Sequence, residues 1–190
     1  MASPVSLQFG QYYHIYNRGN NKEPLFIESR NYAYFLNLYT KYINPIAETY
    51  AYCLLNNHFH LLVRIKSLPS FNPSRAFSNL FSTYTKAFNK AYKRTGSLFE
   101  KPFKRKIIDN NRYLIYLTTY IHRNPQKHGF VDNFRDWPYS SYSTITSENI
   151  TQVQRAEILD WFGGQIGFKD AHTKEVDETM IADLIVDDGL

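Results

Sequence analysis

The chain has 190 residues, 43% of them apolar and 17% aromatic, which is too apolar for a disordered chain and enough for one domain with its own core. A lone cysteine, Cys53, excludes an internal disulfide framework, and no signal-like stretch or run of roughly 18–20 apolar residues appears, which points to a cytoplasmic protein outside the membrane. The net charge of +5 conceals a division: residues 170–190 carry −6, leaving +11 on residues 1–169.

Residues 12–18 are β-prone and stop at Gly19-Asn20-Asn21, a turn composition, so a first strand is predicted there. From Glu28 to Ile46 the apolar residues Tyr32, Phe35, Leu36, Tyr39, Tyr42 and Ile43 keep the spacing of one helical face, closed at Asn44-Pro45. Tyr50–Leu55 and His58–Ile65, separated by Asn56-Asn57, read as a β-hairpin. Residues 73–94 return to helical spacing, with Phe77, Phe81, Tyr84, Phe88 and Tyr92 as the core stripe and Lys86, Lys90 and Lys93 facing outward. A strand over 98–108 and a helix from about Asn110 to Asn124, closed by Pro125, follow. The order β-α-β-β-α-β-α predicts an α+β fold: a split βαβ (ferredoxin-like, RRM-like) antiparallel sheet with two helices on one face and one helix left over. Residues 1–145 form this domain, and 146–190 form an extension with helical stretches at Gln154–Phe162 and Lys174–Val186, acidic at its end.

Residues 75–106 hold nine basic side chains against Glu100 alone. Such density attracts phosphates and is the usual footprint of nucleic-acid binding, although a solvated helix face has the same composition. On the strand His58–Ile65, alternation puts His58, His60, Leu62 and Arg64 on one face and Phe59, Leu61, Val63 and Ile65 on the other. The second set is ordinary core. The first pairs two imidazoles with an arginine, a poor recipe for packing but a good one for holding a divalent cation near a phosphate; structural histidines are the plain alternative. On the following helix Tyr120 and Asn124 are one turn apart, so a phenol and an amide carbonyl share a face. Tyr113 and Tyr116 lie on roughly the same face, and spacing does not choose among the three.

His58-Phe59-His60, the segment Tyr12-Tyr13-His14-Ile15-Tyr16-Asn17-Arg18-Gly19-Asn20, the segment Tyr120-Ile121-His122-Arg123-Asn124-Pro125 with Gly129-Phe130-Val131, and Trp137-Pro138-Tyr139-Ser140-Ser141-Tyr142 stand in one order. In these motifs the chain resembles the REP-associated tyrosine transposases, relatives of the single-tyrosine (HUH) insertion-sequence transposases, from about residue 10 to residue 145. Asn56 departs from the proline common in relatives and falls in the turn.

The resemblance implies a metal site for Mg²⁺ or Mn²⁺ on His58, His60 and Asn124, with Tyr120 as the nucleophile that attacks a phosphodiester in single-stranded DNA next to a hairpin. It also implies the same split βαβ fold, in a monomer or a homodimer. A tyrosine with a reference pKa near 10 is a weak nucleophile, so such a site must favour its phenolate. Two imidazoles and an amide oxygen suit Mn²⁺ better than Mg²⁺, and Zn²⁺ stays open. His14, Arg18 and Arg64 are candidate contacts to the DNA backbone, and Lys86, Lys90, Lys93, Lys104, Arg105 and Lys106 supply a broader electrostatic surface for a hairpin stem. Two other classes compete with this strand transferase: a non-catalytic single-stranded nucleic-acid-binding module, and a metal-dependent hydrolase that would leave Tyr120 dispensable.

Overall fold

A computed structural model describes residues 6–67 and 72–185. Strands β1 (Tyr12–Arg18), β2 (Ala47–Leu54), β3 (His58–Ile65) and β4 (Lys104–Ile108) form one antiparallel sheet in the order β2-β3-β1-β4. Helix α1 (Ser29–Tyr42) connects β1 to β2 and α2 (Pro73–Ala91) connects β3 to β4, which completes the split βαβ arrangement of an α+β fold.

Alternation along the strands decides the two layers. Tyr13, Ile15, Phe59, Leu61 and Val63 share one face and bury against Phe35 and Tyr39 of α1 and Phe77, Leu80 and Phe81 of α2. Phe35 and Phe81 stand 5.5 and 5.6 Å from Phe59 between ring centroids, so both helices press on one ring. Tyr12, His14, Tyr16, His60 and Leu62 share the other face. There α3 (Asn111–Lys127) covers the sheet, and its Leu114, Leu117, Tyr120 and Ile121 join Ala51, Cys53 and Leu62 in a second core. Helices α4 (Tyr142–Thr146), α5 (Arg155–Trp161) and α6 (Gln165–Ala171) extend that core with Tyr142, Ile158 and Phe168. The same segment guards the sheet edge, since Ser140 bridges Cys53 and Val153 bridges Thr49 on β2. Among the described residues no helix is long and apolar enough to cross a membrane.

Several boundaries differ from the sequence expectation for local reasons. The strand expected over 98–108 is ordered as β4 only from Lys104, because Pro102 has no N–H to donate to a ladder; Leu98 and Phe99 instead bury in a loop tied to Asn20 and Gly19. Helix α2 stops at Ala91, and Lys93 adopts φ 51°, a left-handed conformation that a helix cannot contain. Strand β2 begins three residues before the expected Tyr50, with a register shift between Thr49 and Ala51. Helix α3 runs through Pro125 to Lys127 rather than closing at Asn124. The helix expected over Lys174–Val186 is reduced to a 3-10 turn at Glu178–Ile181 and the short α7 (Ala182–Ile185), with Val186 outside the described residues.

The carboxyl-terminal helices are fastened to α3 by a chain of hydrogen bonds. The His172 Nδ1–H donates to the Phe168 carbonyl at 2.7 Å, His122 Nδ1 and His172 Nε2 lie 2.8 Å apart, and the Ser141 hydroxyl is 2.8 Å from His122 Nε2. One proton per ring satisfies every position. A second proton on His172 would face the N–H of His122, and burial holds His172 down to about 4 and His122 well below the usual imidazole range. Unfolding frees both rings to bind protons near the ordinary value of about 6.5, so their contribution is present above that pH and is lost as pH falls toward about 4. In urea melts between pH 7 and 4.5 the native chain should lose about 2 kcal/mol more stability than the His172→Asn variant; equal losses would show that His172 titrates normally in the fold.

Candidate active site

Cross-strand register builds the polar face of the sheet in rows. His60 on β3 pairs with Tyr16 on β1, which pairs with Lys104 on β4; the next row is Leu62, His14 and Lys106; His58 pairs with Arg18. Two lysines of the basic block therefore lie in the same rows as His60 and Leu62, one strand beyond β1. The His58 and His60 rings meet at 88° with centroids 5.2 Å apart.

Each imidazole is oriented by a neighbour. His58 Nδ1 lies 2.7 Å from Asn57 Oδ1, so Nδ1 carries the proton and Nε2 keeps its lone pair. His60 Nδ1 lies 2.9 Å from Nε2 of His14, whose ring stacks on it at 5.1 Å. His14 and His60 are 0% and 1% exposed. Burial pushes His58 down to about 4 and His60 well below the normal range, and a proton on any one of the neighbouring histidines would repel a second, so both rings are neutral at physiological pH.

Helix α3 lays its Tyr120 and Asn124 face on this strand. The Tyr120 ring stands 5.7 Å from that of His60, at 82°. The residue is 2% exposed, and its buried hydroxyl has no hydrogen-bond partner among the described residues. Asn124 donates from Nδ2 to the Tyr120 carbonyl at 3.2 Å, which leaves Oδ1 buried and, among the described residues, without a well-formed hydrogen bond; the amide lies close enough to His58 to favour its charged form. Among the described residues no three His, Cys, Asp or Glu side chains gather as a metal site, so a divalent ion here would draw on the two imidazoles and an oxygen donor.

The same face continues one turn further. Lys127 Nζ lies 5.0 Å from the centroid of the Tyr120 ring and is ion-paired to Glu178 at 2.7 Å; the His128 ring stands 5.0 Å from that of His58, with both nitrogens buried and without a hydrogen bond among the described residues. Neither residue is reached by sequence reasoning that ends the helix at Pro125, although the spacing of 120, 124 and 128 carries the signal.

Other sequence candidates occupy different surroundings. Arg18 bonds Glu100 at 2.5 Å while its charge bears on His58. Arg64 is held by Glu48 at 2.7 Å and lies 3.5 Å from Glu157, with Tyr12 and Tyr50 beneath its guanidinium. Lys86, Lys90 and Lys93 are exposed on α2 or just beyond it, across the sheet from the histidines. Arg105 points to that side too and lies 3.8 Å over the Phe103 ring.

Fold and site together define a split βαβ domain in which a His-x-His strand faces a tyrosine and an asparagine on a covering helix. A family model described as "Transposase IS200 like" matches residues 7–124, more than half of the chain, and the protein belongs to that family. A curated REP-associated tyrosine transposase from Haemophilus influenzae is 33% identical over 107 residues, which cover 50% of this chain and 58% of that protein. The solved structure of a REP-associated tyrosine transposase bound to a REP hairpin shares the fold, with TM-score 0.60 at 21% identity over 78% of this chain and 86% of that one.

The orphaned hydroxyl makes a measurable claim. Substituting Tyr120 by Phe removes a buried polar group that gains nothing from burial, so Tyr120→Phe should match or exceed the native stability by about 1 kcal/mol in urea melts. A clear loss would reveal a partner for the hydroxyl in solution.

Proposed function

We propose that this protein is a metal-dependent strand transferase that cuts and rejoins single-stranded DNA beside hairpins through a covalent bond to Tyr120. The observation that carries this reading is the packing of the Tyr120–Asn124 face on the His58–His60 strand within one chain of the IS200-like transposase family. The hairpin bound to the structural relative supports a hairpin substrate. A site assembled within one chain favours action by the tyrosine helix in cis.

Tyr120 Oη would attack the scissile phosphorus as the bond from phosphorus to the 3′-oxygen breaks. The phosphate remains on the 5′ side as a phosphotyrosine, the phenol proton is given up, and the 3′-oxygen leaves as a hydroxyl. Attack by another 3′-hydroxyl reverses the step and restores Tyr120, so no nucleotide cofactor is consumed. Lys127 lies over the face of the Tyr120 ring and is paired with Glu178. Lys104 and Lys106 border the site where DNA phosphates would approach.

Two neutral imidazoles and the orphaned Asn124 Oδ1 suit a divalent ion, Mn²⁺ more than Mg²⁺ by donor type. When bound, the ion supplies Lewis-acid neutralisation of the phosphate's non-bridging oxygens. His14 acts behind this set as a positioning residue, fixing the tautomer and orientation of His60. A second reading, a hairpin-binding protein that no longer cuts, is favoured by the burial of Tyr120, whose hydroxyl must be uncovered before it can attack.

Incubation with labelled single-stranded hairpins and Mn²⁺ should give a denaturation-resistant protein–DNA adduct that EDTA prevents and Tyr120→Phe abolishes. Cleavage that persists in Tyr120→Phe would mean hydrolysis, and tight binding without adduct would favour the second reading. His14→Phe should weaken Mn²⁺ binding by about 10–100-fold in calorimetry while Tyr120→Phe leaves it unchanged; equal Mn²⁺ affinity in His14→Phe would overturn the positioning role.

A further inference from the structure

Across the sheet from the histidines, α2 and the segment from Gly96 to Arg105 enclose a cavity of about 850 Å³, within the size range of ligand pockets. Its floor is apolar, made by Phe81, Phe99 and Phe103, and its α2 wall carries the hydroxyls of Ser82 and Thr85. Three cations line it: Lys86, Lys101 and Arg105. The one carboxylate among its lining residues, Glu100, is already bonded to Arg18. The wall is therefore left with uncompensated positive charge.

Arg105 is the sharpest anomaly. Its guanidinium carbon lies 3.8 Å from the Phe103 ring centroid, Nη1 donates to Ser74 Oγ at 2.8 Å, and the buried Nε–H has no partner among the described residues. No carboxylate pairs with it there, and burial pulls it below the usual guanidinium range. A half-buried guanidinium with an unused donor is costly unless an anion completes it, and its planar fork matches phosphate.

We propose that this cavity binds one unpaired nucleotide of the strand flanking the hairpin, its phosphate on Arg105 between Lys86 and Lys101 and its base over the phenylalanine floor. Cations and aromatic faces in one groove are the combination that holds single-stranded nucleic acid. The position suits a flank: Arg18 links the cavity rim at Glu100 to His58, so a strand leaving the cavity passes a cation on its way to the histidines. The identity of the ligand rests on the strand-transfer reading; the anion site itself does not.

The test is fluorescence anisotropy with the full chain and a labelled DNA hairpin, blunt or carrying a single-stranded flank. Arg105→Gln should weaken binding of the flanked hairpin about tenfold and of the blunt hairpin by less than about twofold. The slope of log affinity against log salt should fall by about one for the flanked hairpin alone. An abasic nucleotide in the flank should weaken the native protein and not Arg105→Gln. Equal loss on both hairpins would make Arg105 part of a general basic surface and overturn the proposal, as would no loss on either. Lys101→Gln, on an exposed loop residue, repeats the comparison if Arg105→Gln proves unstable in a thermal melt. Adduct formation read in the same samples separates the two claims: flank-dependent binding without adduct upholds the cavity and defeats strand transfer, and adduct without flank dependence does the reverse.

Discussion

The structure turns on a polar sheet face that is buried rather than solvated. Burying His14 and His60 costs free energy unless their nitrogens are satisfied, and the contact between His60 Nδ1 and His14 Nε2 meets that demand for one nitrogen of each ring across two neighbouring strands. The contact requires the β1–β3 register to be held to the residue, since a slip of either strand by one would send its histidine to the opposite core. That register is fixed from the other side, where Tyr13, Ile15, Phe59 and Leu61 bury under α1 and α2. The apolar layer thus makes the polar layer possible.

Helix α3 then does two things at once. Its Leu114, Leu117 and Ile121 supply the apolar contact that seats it, and the same packing carries Tyr120 and Asn124 over the histidines with polar atoms left unsatisfied. Unmade hydrogen bonds at this spot, among the described residues, are what a site that trades stability for chemistry would leave. The carboxyl-terminal helices reinforce the seating through the His122–His172 contact and through Arg123, whose Nη1 donates to the His172 carbonyl at 2.7 Å.

Charge is distributed by the same geometry. The basic block looks continuous in sequence, yet alternation along β4 sends Lys104 and Lys106 to the histidine face and Arg105 to the α2 face. One strand edge therefore serves both a candidate active site and a cavity on the other side of the sheet. Arg64, alike in type, is held among Glu48, Glu157 and two tyrosines at the far end of β3.

Periodicity in the chain was enough to determine the two layers, the hairpin and the helix that bears Tyr120, because alternation of two and a repeat near 3.6 are local consequences of backbone geometry. The pairing of His58 with His60 on one face was legible for the same reason. Which tyrosine meets them was not legible from spacing, since Tyr113, Tyr116 and Tyr120 share a face and only the seating of α3 puts Tyr120 against His60. Nor were Lys127 and His128, because the local rule that proline ends a helix was overridden by the burial of Pro125 in the packed helix. His14 lay on the expected strand face, but its role beneath His60 depends on a partner 46 residues away. Local rules fix which side of an element a residue occupies; the packing of one element on another decides what it meets there.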